Sequence, residues 1–191
     1  MLAELELALR DIQRPTVTLL DVGTGAGDIP SGGRAAAARM GIELVTIGVD
    51  GSEALARAAK SKSLPTVRAT ALALPFADRS VDIALCSQVL HHFEHQNAIT
   101  LLRELNRVAR HRVIVSDLRR SWVAAAGIWL ASFPLHFHPV SRHDGVVSVL
   151  RGFTCDELRH LVRAAVHQMP SVRNHFGFRT TAAWKPGEAH Q

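Results

Sequence analysis

Apolar residues in this chain fall into short uninterrupted runs separated by stretches of helical period, an alternation that holds through the first 118 residues. Thr16 to Val22 is a β-rich run that ends in a glycine cluster, as a buried strand does on entering a tight loop. A helix is predicted from about Ile29 to Met40, with Asp28 as cap, Pro30 in its first turn and Gly41 as stop. Gly32 and Gly33 weaken that helix by about 1 kcal/mol each relative to Ala, and close packing is the only reason the pattern offers for them. Strands follow at Glu43 to Val49, Thr66 to Arg68 and Val81 to Ser87, with a helix from Ser52 to about Ser61 between the first two. From Asn97, Ala98, Leu101, Leu102, Leu105, Val108 and Ala109 keep helical spacing, and Arg112 to Leu118 is a fifth strand. Nearly continuous apolar strands alternating with helices indicate a parallel sheet covered on both faces.

After Leu118 the alternation stops. Residues 119–152 form an insertion with a helix free of charge, the aromatics Trp122, Trp129, Phe133 and Phe137, and a predicted loop from His136 to Gly145. Ser121 to Ser141 contains no Lys, Arg, Asp or Glu, yet its continuous apolar part is only Trp122 to Phe133. That is too short to span a bilayer, so the pattern predicts a buried or interfacial helix, and loose contact with a membrane surface stays open. Thr154 and Glu157 stand at capping-box spacing before a helix to about Val166. Runs at Ser171 to Phe176 and Phe178 to Trp184 predict an antiparallel pair at the sheet edge. The fold class is α/β: a Rossmann-like, doubly wound, mostly parallel sheet of about seven strands with an antiparallel C-terminal edge. One domain, residues 1–191, with a short N-terminal helix in 1–15, is expected.

Composition narrows the picture. In 191 residues, 47% hydrophobic and 20% charged side chains suffice for one core and exclude a fibre or long disorder. Cys86 and Cys155 belong to no CxxC pair, which fits a reducing compartment, and the acidic MLAELELALRDI start does not resemble a secretory signal; a cytoplasmic location is expected. The net charge of +5 and pI near 10.2 permit an acidic partner such as RNA. Arg57, Lys60, Lys62, Arg103, Arg107, Arg110, Arg112, Arg119 and Arg120, however, are spread along the chain without interleaved aromatics, so nucleic acid is not the expected partner.

The sharpest chemical signal is Asp21-Val22-Gly23-Thr24-Gly25-Ala26-Gly27, placed between the first strand and a helix. Glycines there let backbone approach a ligand where a Cβ would collide. The dinucleotide fingerprint would put its third glycine where this chain has Asp28, and a carboxylate repels a pyrophosphate, so a ligand without phosphate fits better. Asp50 ends the second strand 27 residues after Gly23, where doubly wound folds place the acid that accepts from ribose hydroxyls. A tight glycine turn with a helix-capping Asp explains the same residues without any ligand.

DVGTGAG, the GVDGS strand end, ALPFADRSVDIALCSQVLHHF and LLRELNRVAR together resemble a class I S-adenosylmethionine-dependent methyltransferase, most closely the branch that includes the quinone-biosynthesis methyltransferases. The resemblance covers Leu19 to Asp117, about half the chain. It implies that Asp21, Gly23, Thr24, Gly25 and Gly27 line the methionine and ribose of S-adenosylmethionine, and that Asp50, flanked by Gly51 and Ser52, holds the ribose hydroxyls. Ala69-Thr70-Ala71-Leu72 corresponds to the stretch that meets the adenine; many members have Asp where this chain has Thr70, which removes an acceptor for the adenine amino group. Ser87 and Gln88 follow the fourth strand and are expected under the transferred methyl, with His91 and His92 one turn on as candidate bases. Equally, one of these histidines could pack against the next helix while the other is solvated. His91 and His95 are four apart, but without H-E-x-x-H order or a cysteine cluster no metal is expected.

The insertion is the expected acceptor lid: Trp122, Trp129 and Phe133 offer flat apolar area, and Arg142 and His143 add polar groups. An aromatic core under a long loop would use the same residues. Only about 15 residues precede the first strand, fewer than in many relatives. The function expected is methyl transfer from S-adenosylmethionine to a small aromatic or lipophilic acceptor at oxygen or carbon. An RNA methyltransferase and a non-catalytic cofactor-binding partner protein stay open as alternatives, and Asp28 disfavours a nicotinamide oxidoreductase.

Overall fold

The computed structural model describes residues 1–54, 64–134 and 138–187. Seven strands form one sheet: β1 (Thr16–Val22), β2 (Glu43–Asp50), β3 (Thr66–Arg68), β4 (Val81–Ser87), β5 (Ala109–Leu118), β6 (Ser171–His175) and β7 (Arg179–Trp184). Their order is β3-β2-β1-β4-β5-β7-β6. The first five run parallel, and β7 lies antiparallel between β5 and β6. Strand order reverses between β1 and β4, the switch point at which open α/β sheets leave a crevice at the carboxyl ends of the strands.

Side-chain alternation along the strands divides the core in two. Leu20, Val22, Ala84, Cys86, Val113 and Val115 point to one face, which is covered by α3 (His95–Val108) and α6 (Cys155–Val166). Leu19, Ile83, Leu85 and Ile114 point to the other, covered by α1 (Leu2–Ile12) and α2 (Asp28–Arg39). A Cβ on Gly33 would meet Leu5 Cδ2 at 2.9 Å, so that glycine lets α2 settle onto α1. α6 begins with the predicted capping box: Thr154 Oγ1 accepts from Glu157 N, and Glu157 Oε2 accepts from Thr154 N.

The structure departs from the sequence reading in several places. Gly27, in the left-handed region, is the N-cap of α2, and Asp28 is its first residue, near the positive end of the helix dipole. α3 starts two residues before Asn97, and β5 three residues before Arg112. The loop expected over 136–145 is in large part helix: α5 (Pro139–Arg151) opens with Pro139 in its first turn and with His138 Nδ1 accepting from Val140 N. It packs on α4 (Trp122–Ala131) through Ala124, Ala125, Ile128, Val146, Val149 and Leu150, so tertiary packing supplies what local pattern lacked. The Ser52 to Ser61 helix, the basic residues Arg57, Lys60 and Lys62, and His136 and Phe137 lie wholly or mostly outside the described residues. Among the described residues no helix is long and apolar enough to cross a membrane.

Candidate active site

The turn after β1 is held by β2. Val49 O accepts from Gly23 N at 2.8 Å and from Thr24 N at 3.0 Å. The Asp50 carboxylate closes the next step, with Oδ2 accepting from Gly25 N at 3.0 Å and Oδ1 from Ser52 N at 2.8 Å. Gly23 is required: its φ is +73°, and a Cβ would stand 2.3 Å from Val89 Cγ2. Gly25, at φ +52°, has nothing within 4 Å of where a Cβ would be, so its bare backbone borders open space.

That space is a cleft of about 700 Å³ at the β1/β4 switch point, within the range of small-ligand sites. Nine sequence-predicted residues line it: Gly23, Gly25, Asp50, Gly51, Thr70, Ala71, Ser87, Gln88 and His92. Each Asp50 oxygen has one backbone donor and keeps a lone pair for a ligand hydroxyl. Ser87 Oγ is buried at the cleft wall without a hydrogen-bond partner. Thr70 Oγ1 accepts from Leu72 N at 3.2 Å and can still donate its proton. Val49, Ala69, Val89 and Phe93 supply apolar wall for a flat base. The Asp50 carboxylate, the orphaned Ser87 hydroxyl and the apolar wall together fit the hydroxyls and base of a nucleoside.

Other predicted residues lie outside the cleft wall. Asp21 is buried beneath the glycine turn: Oδ2 accepts from Thr24 Oγ1 at 2.8 Å, and Oδ1 has no partner. Burial raises its pKa to about 6, with the Thr24 hydrogen bond opposing and the nearby Asp50 charge adding to the shift. Thr24 packs its methyl over Gly48, Gly27 caps α2, and Ser52 is exposed with its N–H on Asp50.

His91 and His92 share a 3-10 turn (Leu90–His92), their ring centroids 4.1 Å apart, but they face different surroundings. His92 lines the cleft, and desolvation, then His91 and Arg151, hold its pKa below the ordinary imidazole value. His91 is buried, with its Nδ1 2.6 Å from Asp117 Oδ1 and its N–H donating to Asp117 Oδ2 at 2.9 Å. It borders a second recess of about 370 Å³, formed with His92, Phe93, Glu94, His95, Arg151 and Phe153. Because His92 and Phe93 line both spaces, the recess adjoins the cleft.

Of the predicted acceptor residues, none lines the cleft or the recess. Trp122 and Trp129 are exposed on α4, Phe133 lies beyond its end, Arg142 covers the Phe133 ring at 4.0 Å, and His143 is exposed on α5. The sequence reading missed Asp117, the His91 partner, although an acid following the apolar run Val113 to Val115 near the end of β5 is a visible signal. It also missed Arg68, at the end of β3, and Phe93, directly after the paired histidines.

A ligand crevice at a switch point, bounded by a glycine turn and an acid at the end of β2, defines a class of α/β protein that binds a nucleoside cofactor. The chain belongs to the methyltransferase domain family, whose model, described as "Methyltransferase domain", matches residues 20–115. S-adenosylmethionine is the cofactor of this class, as the resemblance implied. An uncharacterized methyltransferase of Mycobacterium sp. (strain JLS) is 35% identical over 136 residues, 71% of this chain and 49% of that protein. The chain therefore spans about half the length of that curated relative. A SAM-dependent methyltransferase from Aquifex aeolicus shares the fold with a TM-score of 0.66 at 16% identity, covering 96% of this chain and 90% of that one. Magnesium protoporphyrin IX methyltransferase from Synechocystis PCC 6803, crystallised with SAH, gives 0.65 at 16% identity, with 97% and 81% covered.

Proposed function

We propose that this chain catalyses methyl transfer from S-adenosylmethionine to a small acceptor, with the cofactor in the switch-point cleft and the acceptor in the recess beside His91. The observation that carries this reading is the adjacency of the two spaces across His92 and Phe93. When bound, S-adenosylmethionine supplies a methyl group on a sulfonium, a leaving group that needs no proton. Asp50 would accept from the ribose hydroxyls, Thr70, Ala71 and Phe93 would border the adenine, and Gly23, Gly25 and Ser87 would border the remainder.

The chain's own part in the reaction is alignment and proton removal. Asp117 accepts the His91 Nδ1 proton, which leaves the lone pair on Nε2 for an acceptor hydroxyl or ring carbon. Gln88, held at φ +56° in the left-handed region with its N–H on Ser116 O, turns the chain at the end of β4 and lines the cleft. His92, whose imidazole burial pushes below its ordinary pKa, is the second candidate base. Trp122, Trp129, Phe133, Arg142 and His143 stand apart from this machinery in the form described.

Calorimetric titration with S-adenosylmethionine, S-adenosylhomocysteine and NADH tests the cofactor half. Micromolar binding of the sulfur nucleotides alone is expected, and Asp50→Ala should weaken it roughly 10-fold to 100-fold, as loss of charged hydrogen bonds worth about 1.5–3 kcal/mol requires. NADH binding in place of the sulfur nucleotides would overturn the reading.

A further inference from the structure

The α4–α5 hairpin displays apolar side chains that the rest of the described fold leaves uncovered. Trp122 and Val123 are each 75% exposed, Leu130 61%, Val140 59% and Trp129 50%. Ala124 and Ala125 are the buried residues of α4, so its outward surface is apolar as well as its inward one. A helix on a water-facing surface carries polar side chains outward, and a contiguous apolar patch of this kind marks a contact site. Phe176, fully exposed in the β6–β7 turn, extends the display: Phe178 of the same turn packs against the hairpin, and its carbonyl accepts from Arg119 N at 2.7 Å.

The charges along the hairpin are mostly basic, although Arg120 is paired with Glu157 of α6 at 3.0 Å. Between Arg119 and Arg151 the basic residues are Arg119, Arg120, Arg142 and Arg151, and Asp144 is the single acid. Two of these arginines lie over exposed or half-buried rings, Arg142 over Phe133 at 4.0 Å and Arg119 over Phe178 at 5.4 Å. Tryptophans at both ends of an uncharged helix, flanked by arginines, suit the boundary between anionic headgroups and acyl chains. The ten residues of α4 reach about 15 Å, half a hydrocarbon core, so the helix lies in the plane of a bilayer and does not cross it. We propose that the α4–α5 hairpin, with Phe176 beside it, docks this protein onto an anionic lipid surface. α5 ends at Arg151, which borders the recess of His91 and His92, so one helix joins the docking surface to that recess. The docking itself does not depend on the methyl-transfer reading.

Tryptophan emission provides the test, because Trp184 is buried with its Nε1 donating to Asn106 and gives a constant background. The purified chain is titrated with vesicles of phosphatidylcholine alone and of phosphatidylcholine with phosphatidylglycerol. A blue shift with the anionic vesicles, weakened by salt and quenched by brominated acyl chains, is the expected result. Trp122→Ser combined with Trp129→Ser removes the reporters, so its vesicle binding is read by co-sedimentation and should fall roughly tenfold or more. Both sites are exposed, and an unchanged thermal transition in the double variant shows that its fold is kept. No binding to either vesicle, or equal binding to both, overturns the proposal. So does a concentration-dependent dimer in light scattering that the double variant abolishes, since the patch would then cover a second copy.

Discussion

Asp21 holds a carboxylate where one buried oxygen has no hydrogen-bond donor. Its pKa, raised to about 6 from 3.8, means that the folded chain binds this proton more tightly than the unfolded chain does. Stability from this group is therefore present below about pH 4 and is lost as pH rises to about 6, a total near 3 kcal/mol by linkage. Urea unfolding of wild type and Asp21→Asn at several pH values should show the variant gaining on wild type across that window and holding level above it. A difference independent of pH would mean that Asp21 does not titrate there. His91 is the proposed base, its Nδ1 2.6 Å from Asp117 Oδ1. With Asp117 fixing its tautomer, His91→Asn should reduce turnover about 10²-fold to 10⁴-fold while cofactor affinity by calorimetry stays unchanged. Several of the arginines that raise the pI are occupied within the fold: Arg107 binds Glu104, Asp78 and the Leu74 and Phe76 carbonyls, Arg110 binds Asp82, and Arg103 binds the Ala165 carbonyl. Charge that looked free in the sequence is partly structural.

Among the elements, those read most closely from the sequence are the ones whose signals are local. β1 and β4 match their predicted runs because apolar residues fill most of both strands while Thr18 donates to Asp82 between them, and α6 begins at its capping box because Thr154 and Glu157 satisfy one another. Thr154→Ala should lower stability by about 1 kcal/mol and Tm by roughly 2–4 °C, measurable by calorimetric melting. α5 was not legible: Pro139, Gly145 and scattered polar residues read as loop, and the helix depends on packing against α4. For the same reason the aromatic residues of the insertion read as a pocket. Their types suit a ligand, but the hairpin geometry keeps Trp122, Trp129 and Phe133 out of the cleft wall.

For the whole molecule, a ligand at the switch point bridges the β1 turn, the β2 end and the residues after β4, so its binding should report on global unfolding. S-adenosylhomocysteine at a hundred times its Kd should add about 2.7 kcal/mol and raise Tm by roughly 5–10 °C. Asp50→Ala should abolish most of that shift, and an unchanged wild-type Tm at saturating ligand would show that the cleft is not the binding site. The sequence by itself determined the parallel core, the glycine turn, the acid at the end of β2 and the family, because strand period, glycine freedom and capping act within a few residues. Tertiary structure alone decided that Asp117 meets His91 across 26 residues, that His92 and Phe93 join two spaces, and that the insertion folds as an exposed hairpin. Those depend on which chain segments become neighbours, and a side chain's type does not state its neighbour.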